Sequence, residues 1–214
     1  DYMIPVHNWD THEYPFFVKQ KKHCIDEGTQ FNDYKDTYND YIQYKEQNSA
    51  MRKAKKIIKD FNGDTHKTVL FLSYKAENWN TMDNIYKKYC QEKDIKVIVQ
   101  CVPYYYKNID GTFEKYIDGG MYPEYVTITP IEDYNYVNEN PDVIVFQYPY
   151  DNYNSAGTTD PVFYSYNLAS HTQKLIYIPY FRTDEIDEND MRAYTNMDAY
   201  VTMPGVVYAD KVIV

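Results

Sequence analysis

The sequence predicts an α/β fold: a three-layer, Rossmann-like parallel sheet behind a helical N-terminal extension. Two observations carry this. Apolar runs of strand length recur along the chain, separated by stretches long enough for right-handed crossovers. Four of those runs drive into a proline: Val97–Val102 into Pro103, Val143–Tyr148 into Pro149, Leu175–Ile178 into Pro179 and Tyr200–Met203 into Pro204. Proline has no N–H to give a ladder, so each marks a strand end. The first three exits are rich in tyrosine, and in an open parallel sheet ligands bind at the C-terminal strand ends.

Each element has its own signal. Residues 1–28 lack periodicity and are punctuated by Pro5, Pro15 and Gly28. From 30 to 60, apolar residues recur at three- and four-residue steps, among them Tyr34, Tyr38, Tyr41, Met51, Ala54, Ile58 and Phe61, which predicts helix with a break near Asn48-Ser49 and a stop at Gly63. Arg52, Lys53, Lys55, Lys56 and Lys59 interleave with that stripe. They form either the solvated face of a helix docked on the main domain or, less favoured, a contact with an anionic membrane surface. From 67 the pattern turns to βα alternation. Val69–Leu72 is the first strand, and Asn80 is the expected N-cap of the following helix, with Asp83 near its positive end. The second strand is 96–102, followed by an irregular stretch with turns at 108–111 and 119–120. A short third strand is expected at 125–128, a fourth at 142–147, a helix over 163–172, a fifth strand at 174–178 and a sixth at 198–203. The acidic residues of 184–190 read as a solvated loop and helix start. The doubly wound pattern gives a strand order near 3-2-1-4-5-6. The extension is thus 1–66 and the α/β lobe 67–214, with 211–214 resembling the start of a further strand of a longer protein.

Composition narrows the function. The 214 residues carry a net charge of −10, which argues against a nucleic-acid partner because phosphate binding needs a basic face. Apolar residues make up 43 % of the chain, yet mean hydropathy is −0.72, so the apolar material is concentrated in short runs. Cys24, Cys90 and Cys101 are scattered and odd in number, which reads as reduced thiols. No spacing suggests zinc; His7 and His12 beside Asp10 and Glu13 read as a loop cluster rather than a metal site. No apolar run approaches the ~20 residues of a membrane span. The expected location is cytoplasmic, with peripheral contact at the inner face of the cell membrane as an option. Tyrosine, at 27 residues, is the outlier. Its amphipathic ring suits a surface that binds sugars or polyols, although drift in composition accounts for many of these residues.

No Gly-x-Gly-x-x-Gly follows the first strand, where the chain reads Ser73-Tyr74-Lys75-Ala76-Glu77-Asn78-Trp79, so ordinary dinucleotide binding is not expected. There is no Walker loop and no Gly-x-Ser-x-Gly elbow. What remains is a polar, aromatic rim. Candidate binding residues are Lys75, Tyr104, Tyr105, Asn108, Tyr148, Asp151, Asn152 and Tyr180, with Lys107, Asp110, Tyr150, Tyr153, Asn154, Phe181 and Arg182 nearby. Lys75 could meet a phosphate. Asp151 is the one candidate general base, with a loop cap as its plainer role. No metal site and no cofactor are expected.

Several stretches resemble a bacterial group of CDP-glycerol glycerophosphotransferase-like proteins: residues 67–76 with Trp79, Val102-Pro103-Tyr104-Tyr105, residues 122–126, Pro141-Asp142-Val143-Ile144, Tyr148-Pro149-Tyr150-Asp151 and residues 174–181. The resemblance covers residues 67 to 214. It implies the N-terminal, acceptor-side lobe of a two-lobed GT-B protein acting in teichoic-acid or polysaccharide synthesis, with a nucleotide-activated donor such as CDP-glycerol bound by a C-terminal lobe. Its partners would be that lobe and a polyol-phosphate or glycan acceptor. Teichoic-acid polymerases of this kind carry a Trp-His-Gly motif after an N-terminal-lobe strand. The matching exit here, Ile178-Pro179-Tyr180-Phe181, has no histidine. Either another group supplies the base or this branch has a different activity, including a non-catalytic glycan- or protein-binding module.

Overall fold

The computed structural model describes residues 32–61, 63, 66–108, 112–116, 120–181, 187, 189–193, 200 and 203–213. The His7/His12 cluster, Asp110 and Arg182 lie outside them. The chain forms helix α1 (Asn32–Phe61), strand β1 (Lys67–Ser73), helix α2 (Asn80–Gln91), β2 (Ile95–Cys101), β3 (Tyr104–Lys107), β4 (Phe113–Tyr116), a short α3 (Tyr136–Glu139), β5 (Val143–Phe146), β6 (Gly157–Thr159), α4 (Ser165–Ser170), β7 (Lys174–Tyr177), α5 (Pro204–Tyr208) and β8 (Lys211–Val212).

The main sheet is parallel, in the order β2-β1-β5-β7-β8. Helices cover both faces, so the middle of β1, Val69 to Leu72, is continuously apolar rather than alternating. Val69 and Phe71 pack with Trp79, Met82 and Tyr86 on the α2 side. Leu70 and Leu72 pack with Phe163, Leu168 and Tyr208 on the α4–α5 side. This is the expected three-layer α/β architecture.

The order agrees with 3-2-1-4-5-6 at its centre and departs at both edges. The third strand shrinks to one parallel bridge, Ile128 to Val99. The sixth position belongs to β8 rather than to 198–203. Within that span Tyr200 and Met203 are not in strand, and Pro204 opens α5 at a helix's first turn, where its missing N–H costs nothing. The stretch expected to be irregular after the second strand instead contributes β3 and β4, which join β6 in an antiparallel sheet. Asn80 begins α2 but makes no side-chain cap, because a 3₁₀ turn at Ala76–Asn78 leads into it. The helix expected over 163–172 is confined to α4, after a 3₁₀ turn at Pro161–Phe163. In the acidic loop, the Ala193 N–H donates to Asp190 Oδ1 at 2.9 Å, capping a short helical turn.

Helix α1 runs unbroken through Asn48-Ser49. Asn48 is buried and donates to the Ala169 carbonyl, so the polar pair that suggested a break is a docking contact. Gly63, at φ 71°, ends the turn that follows α1, its N–H bonding Asp60 O at 3.1 Å. The docked face is polar. Arg52 forks onto both Asp210 oxygens at 2.9 and 3.0 Å and donates to Ala169 O at 2.9 Å. Lys55 bonds Asn140 Oδ1 and Ser170 O, and Lys59 reaches Asp142 at 2.6 Å. Asp142 and Asp210 immediately precede β5 and β8, so α1 lies across the N-terminal edge of the sheet, leaving the C-terminal edge to the tyrosines.

Candidate functional site

The C-terminal strand exits converge as the sequence predicts, around a residue that sequence reasoning passed over. Tyr74, the first residue after β1, is the hub. Its ring lies 4.9 Å from that of Tyr104, 4.9 Å from that of Tyr148 and 5.3 Å from that of Tyr180. These rings come from the exits of β1, β2, β5 and β7. Pro103, Pro149 and Pro179 turn the chain there, and each next residue or its neighbour swings a ring over the sheet edge. Lys75 extends over this surface, its ammonium 5.4 Å from both the Tyr74 and Tyr104 ring centres, within cation–π range. Tyr104 continues onto the antiparallel ribbon, stacking on Tyr116 and meeting Tyr106 edge-on.

Beneath the rings the crevice between β1 and β5 is closed. Gln147, 0 % exposed, fills it. Its Oε1 accepts from the Tyr74 N–H at 3.1 Å, and its Nε2 donates to Asn78 O at 2.9 Å and Thr81 Oγ1 at 2.8 Å. The void below Tyr74 and Tyr148 is about 10 Å³, too small for a ligand. Tyr104 and Tyr148 are themselves buried, the Tyr148 hydroxyl donating to Gly157 O at 3.0 Å, so the surface open to a ligand is the outer side of Tyr74, Lys75 and Tyr180 rather than a deep cleft.

The candidate residues divide in two. Lys75, Tyr104, Tyr148 and Tyr180 come together. The other four hold the scaffold. Tyr105 belongs to β3 and takes no part in the ring cluster; its carbonyl packs where a side chain at Gly157 would begin. Asn108 closes the β3–β4 turn by bonding Thr112. Asn152 is exposed and offers its carbonyl to Lys107, which also bonds the Asn154 carbonyl. Asp151 is 4 % exposed at φ 49°, and one carboxylate oxygen accepts from both the N–H and the Oγ of Ser165 at 2.9 Å. It anchors the first turn of α4, its plainer role, with that carboxylate turned inward onto the helix.

Electrostatics favour binding over proton transfer. Burial, then neighbouring phenols and Glu77, push Tyr74 up to about 12. Burial also pushes Tyr180 up to about 12, against the hydrogen bond from Tyr150. Tyr148 and Tyr150 move further in the same direction, again by burial first. At neutral pH these hydroxyls are protonated: they can donate and accept hydrogen bonds but cannot act as bases. In the first turn of α2, Tyr125, Trp79 and Lys87 converge on Asp83. Burial opposes its ionisation, but these bonds hold its carboxyl below the usual range.

No family model, curated protein or solved structure matches the chain.

The tyrosines set an alkaline limit. An unfolded phenol ionises near pH ~10, whereas Tyr74 and Tyr180 keep their protons to about 12 in the fold. Between those values the folded state binds more protons, so stability present below about pH 10 falls as pH rises. The last part of the phenolate absorbance should rise in step with loss of helical circular dichroism. Full titration of all tyrosines with the circular dichroism intact would contradict this.

Proposed function

We propose that the chain is an acceptor-binding α/β lobe of a glycerophosphotransferase- or glycosyltransferase-like protein in cell-envelope polymer synthesis. The observation that carries it is the Lys75 ammonium poised over the Tyr74 and Tyr104 rings at the C-terminal edge of a parallel sheet. The half-buried Tyr74 and Tyr180 rings would meet the C–H face of a polyol or sugar, with the buried Tyr104 and Tyr148 rings backing them, and one cation answers a phosphodiester. The resemblance of residues 67–214 to CDP-glycerol glycerophosphotransferase-like proteins supports this reading and assigns the nucleotide-activated donor to a second lobe.

A second reading, a glycan- or protein-binding module without chemistry, draws on Asp151. The single carboxylate that sequence placed in the site is committed to Ser165. Neither His66 nor His171 is among the rim's ring contacts; His171 instead packs on Tyr136 and bonds Asn167 O.

Calorimetry tests the site and the division of labour. Short glycerol-phosphate oligomers are expected to bind, and Lys75→Met, which keeps the stem and removes the charge, to weaken them about tenfold, ~1.4 kcal/mol. CDP-glycerol and UDP-sugars are expected to bind no tighter than millimolar. Micromolar nucleotide binding by this chain would sink the division of labour, and unchanged oligomer affinity in Lys75→Met would sink the site. A donor-hydrolysis screen on a two-lobed protein containing this chain decides between transferase and binding module.

A further inference from the structure

The aromatic surface does not end at Tyr104. That ring is shared with the antiparallel ribbon, where it stacks on Tyr116 at 5.6 Å and meets Tyr106 edge-on at 5.4 Å; those two rings meet each other at 5.5 Å. Tyr104 is buried, but Tyr106 is 39 % exposed and Tyr116 47 %. The ladder explains the grouping. Tyr104 pairs with Tyr116 and Tyr106 with Glu114, and side chains alternate across a strand, so these four stand on one face. On β6 the residue opposite Tyr106 is Gly157, which has no side chain to cover the ring. From Tyr74 the surface reaches the ribbon in two steps, 4.9 Å to Tyr104 and 5.6 Å to Tyr116, each about the length of one sugar unit.

Charge along this surface is uneven. At the rim stands the Lys75 ammonium, and Glu77 lies 3.7 Å from it, so the rim answers one phosphate at most. On the ribbon, the cations of β3 and β4, Lys107 and Lys115, alternate onto the other face, and Lys107 is occupied by the Asn152 and Asn154 carbonyls. The charged group beside Tyr106 and Tyr116 is instead the exposed carboxylate of Glu114. Phenol rings next to a carboxylate suit the C–H faces and hydroxyls of a neutral sugar. A second phosphate there would meet a like charge and no cation, in a molecule whose net charge is already −10.

We infer that the ribbon is a glycan subsite. The ligand of the rim is an oligosaccharide with a single phosphate at Lys75 and neutral sugar units over Tyr116 and Tyr106, rather than a polymer with a phosphodiester in every repeat. This rests on the acceptor-binding reading of the rim and selects between its two acceptor classes. A second copy fits the ribbon less well. β4 is its outer strand among the described residues. Two-fold antiparallel pairing there, in the registers that pair most of the strand, centres on Glu114 or on Lys115 and sets like charges opposite each other.

Calorimetry on the full chain tests it with two sets of probes. One set is sugar 1-phosphates of one, three and five units, in a glucose and an N-acetylglucosamine series. The other is glycerol-phosphate chains of one, three and five units. Lengthening the sugar chain is expected to tighten binding about tenfold in at least one series, and lengthening the glycerol-phosphate chain to bring no gain. Tyr106→Ala should bring the five-unit sugar down to the affinity of the one-unit sugar. Glu114→Lys should let the longer glycerol-phosphate chains bind more tightly. Both side chains are exposed, so far-ultraviolet circular dichroism and melting temperature serve as the folding control. Equal affinities for one- and five-unit sugars in both series, or a gain that survives Tyr106→Ala, overturn the subsite while one-unit binding that depends on Lys75 leaves the rim in place. A gain with phosphate number in the wild-type protein overturns the choice of acceptor. No binding of any probe overturns the rim reading and the subsite with it. Light scattering that shows a dimer lost in Tyr106→Ala, with no effect of sugar length, assigns the ribbon to a second copy and overturns the subsite as well.

Discussion

Replacing Gln147 with leucine is expected to lower stability by about 3 kcal/mol, near the upper end for a single polar substitution. Leucine retains much of the volume, so the loss isolates hydrogen bonding. Gln147 has no solvent access and joins three elements at once. The Tyr74 N–H loses its acceptor, and the Asn78 carbonyl and Thr81 hydroxyl lose a donor. The Thr81 hydroxyl still donates to Asn78 O at 3.1 Å, which limits the damage at the start of α2. The Tyr74 N–H has no such fallback, and Tyr74 holds the rim together. The expected signature is therefore double: a fall in chemical-denaturation midpoint, and a loss of near-ultraviolet circular dichroism from the Tyr74–Tyr104–Tyr148–Tyr180 cluster while far-ultraviolet signal persists. A variant with unchanged near-ultraviolet signal would show that ring packing, not Gln147, fixes Tyr74.

What could be read from sequence follows from how local each signal is. β1, β2, β5 and β7 each carry a local apolar run of strand length, and all four are legible in the sequence. The central part of the strand order followed from the doubly wound pattern, and its edges did not. The ribbon was not legible, because Tyr104, Tyr105 and Tyr106 all carry the same side chain. Identical side chains hide a period of two. The docking side of α1 was hidden for another reason. Its partners, Ala169 O, Asp142 and Asp210, lie more than eighty residues away in sequence and appear only once the sheet forms. At the site, the proline-tyrosine pattern led to Tyr104, Tyr148 and Tyr180. Tyr74 follows Ser73 instead of a proline and fell outside that pattern. Asp151 looked chemically available because its partner, Ser165, is fourteen residues further on.

The other large effect is expected at Gly205. A Cβ built there would lie 2.5 Å from Pro149 Cα, 2.7 Å from Pro149 Cβ and 3.2 Å from a ring carbon of Phe146. Two of these neighbours are in the backbone or rigid ring of a proline and the third is in the core, so none can move aside easily. Gly205 also donates its N–H to Pro149 O at 2.8 Å, tying α5 to the β5 exit. Gly205→Ala must separate the two segments, break that bond, or both. The expected cost is about 3 kcal/mol, at the upper end for overpacking. In a chain of this size that corresponds to a fall in Tm of roughly 6–12 °C. Gly63→Ala is the internal comparison. Nothing lies within 4 Å of its Cβ position, and only its φ of 71° opposes a side chain. It should cost about 1–2 kcal/mol, through backbone strain alone. Because α5 holds the β5 exit by way of Pro149, Gly205→Ala should also displace Tyr148 and Tyr150 and weaken acceptor binding. Gly63→Ala, at the far edge of the sheet, should leave binding unchanged. Equal melting temperatures for the two variants would mean that Pro149 yields to the added methyl group, and that the strand exits are more pliant than their packing implies.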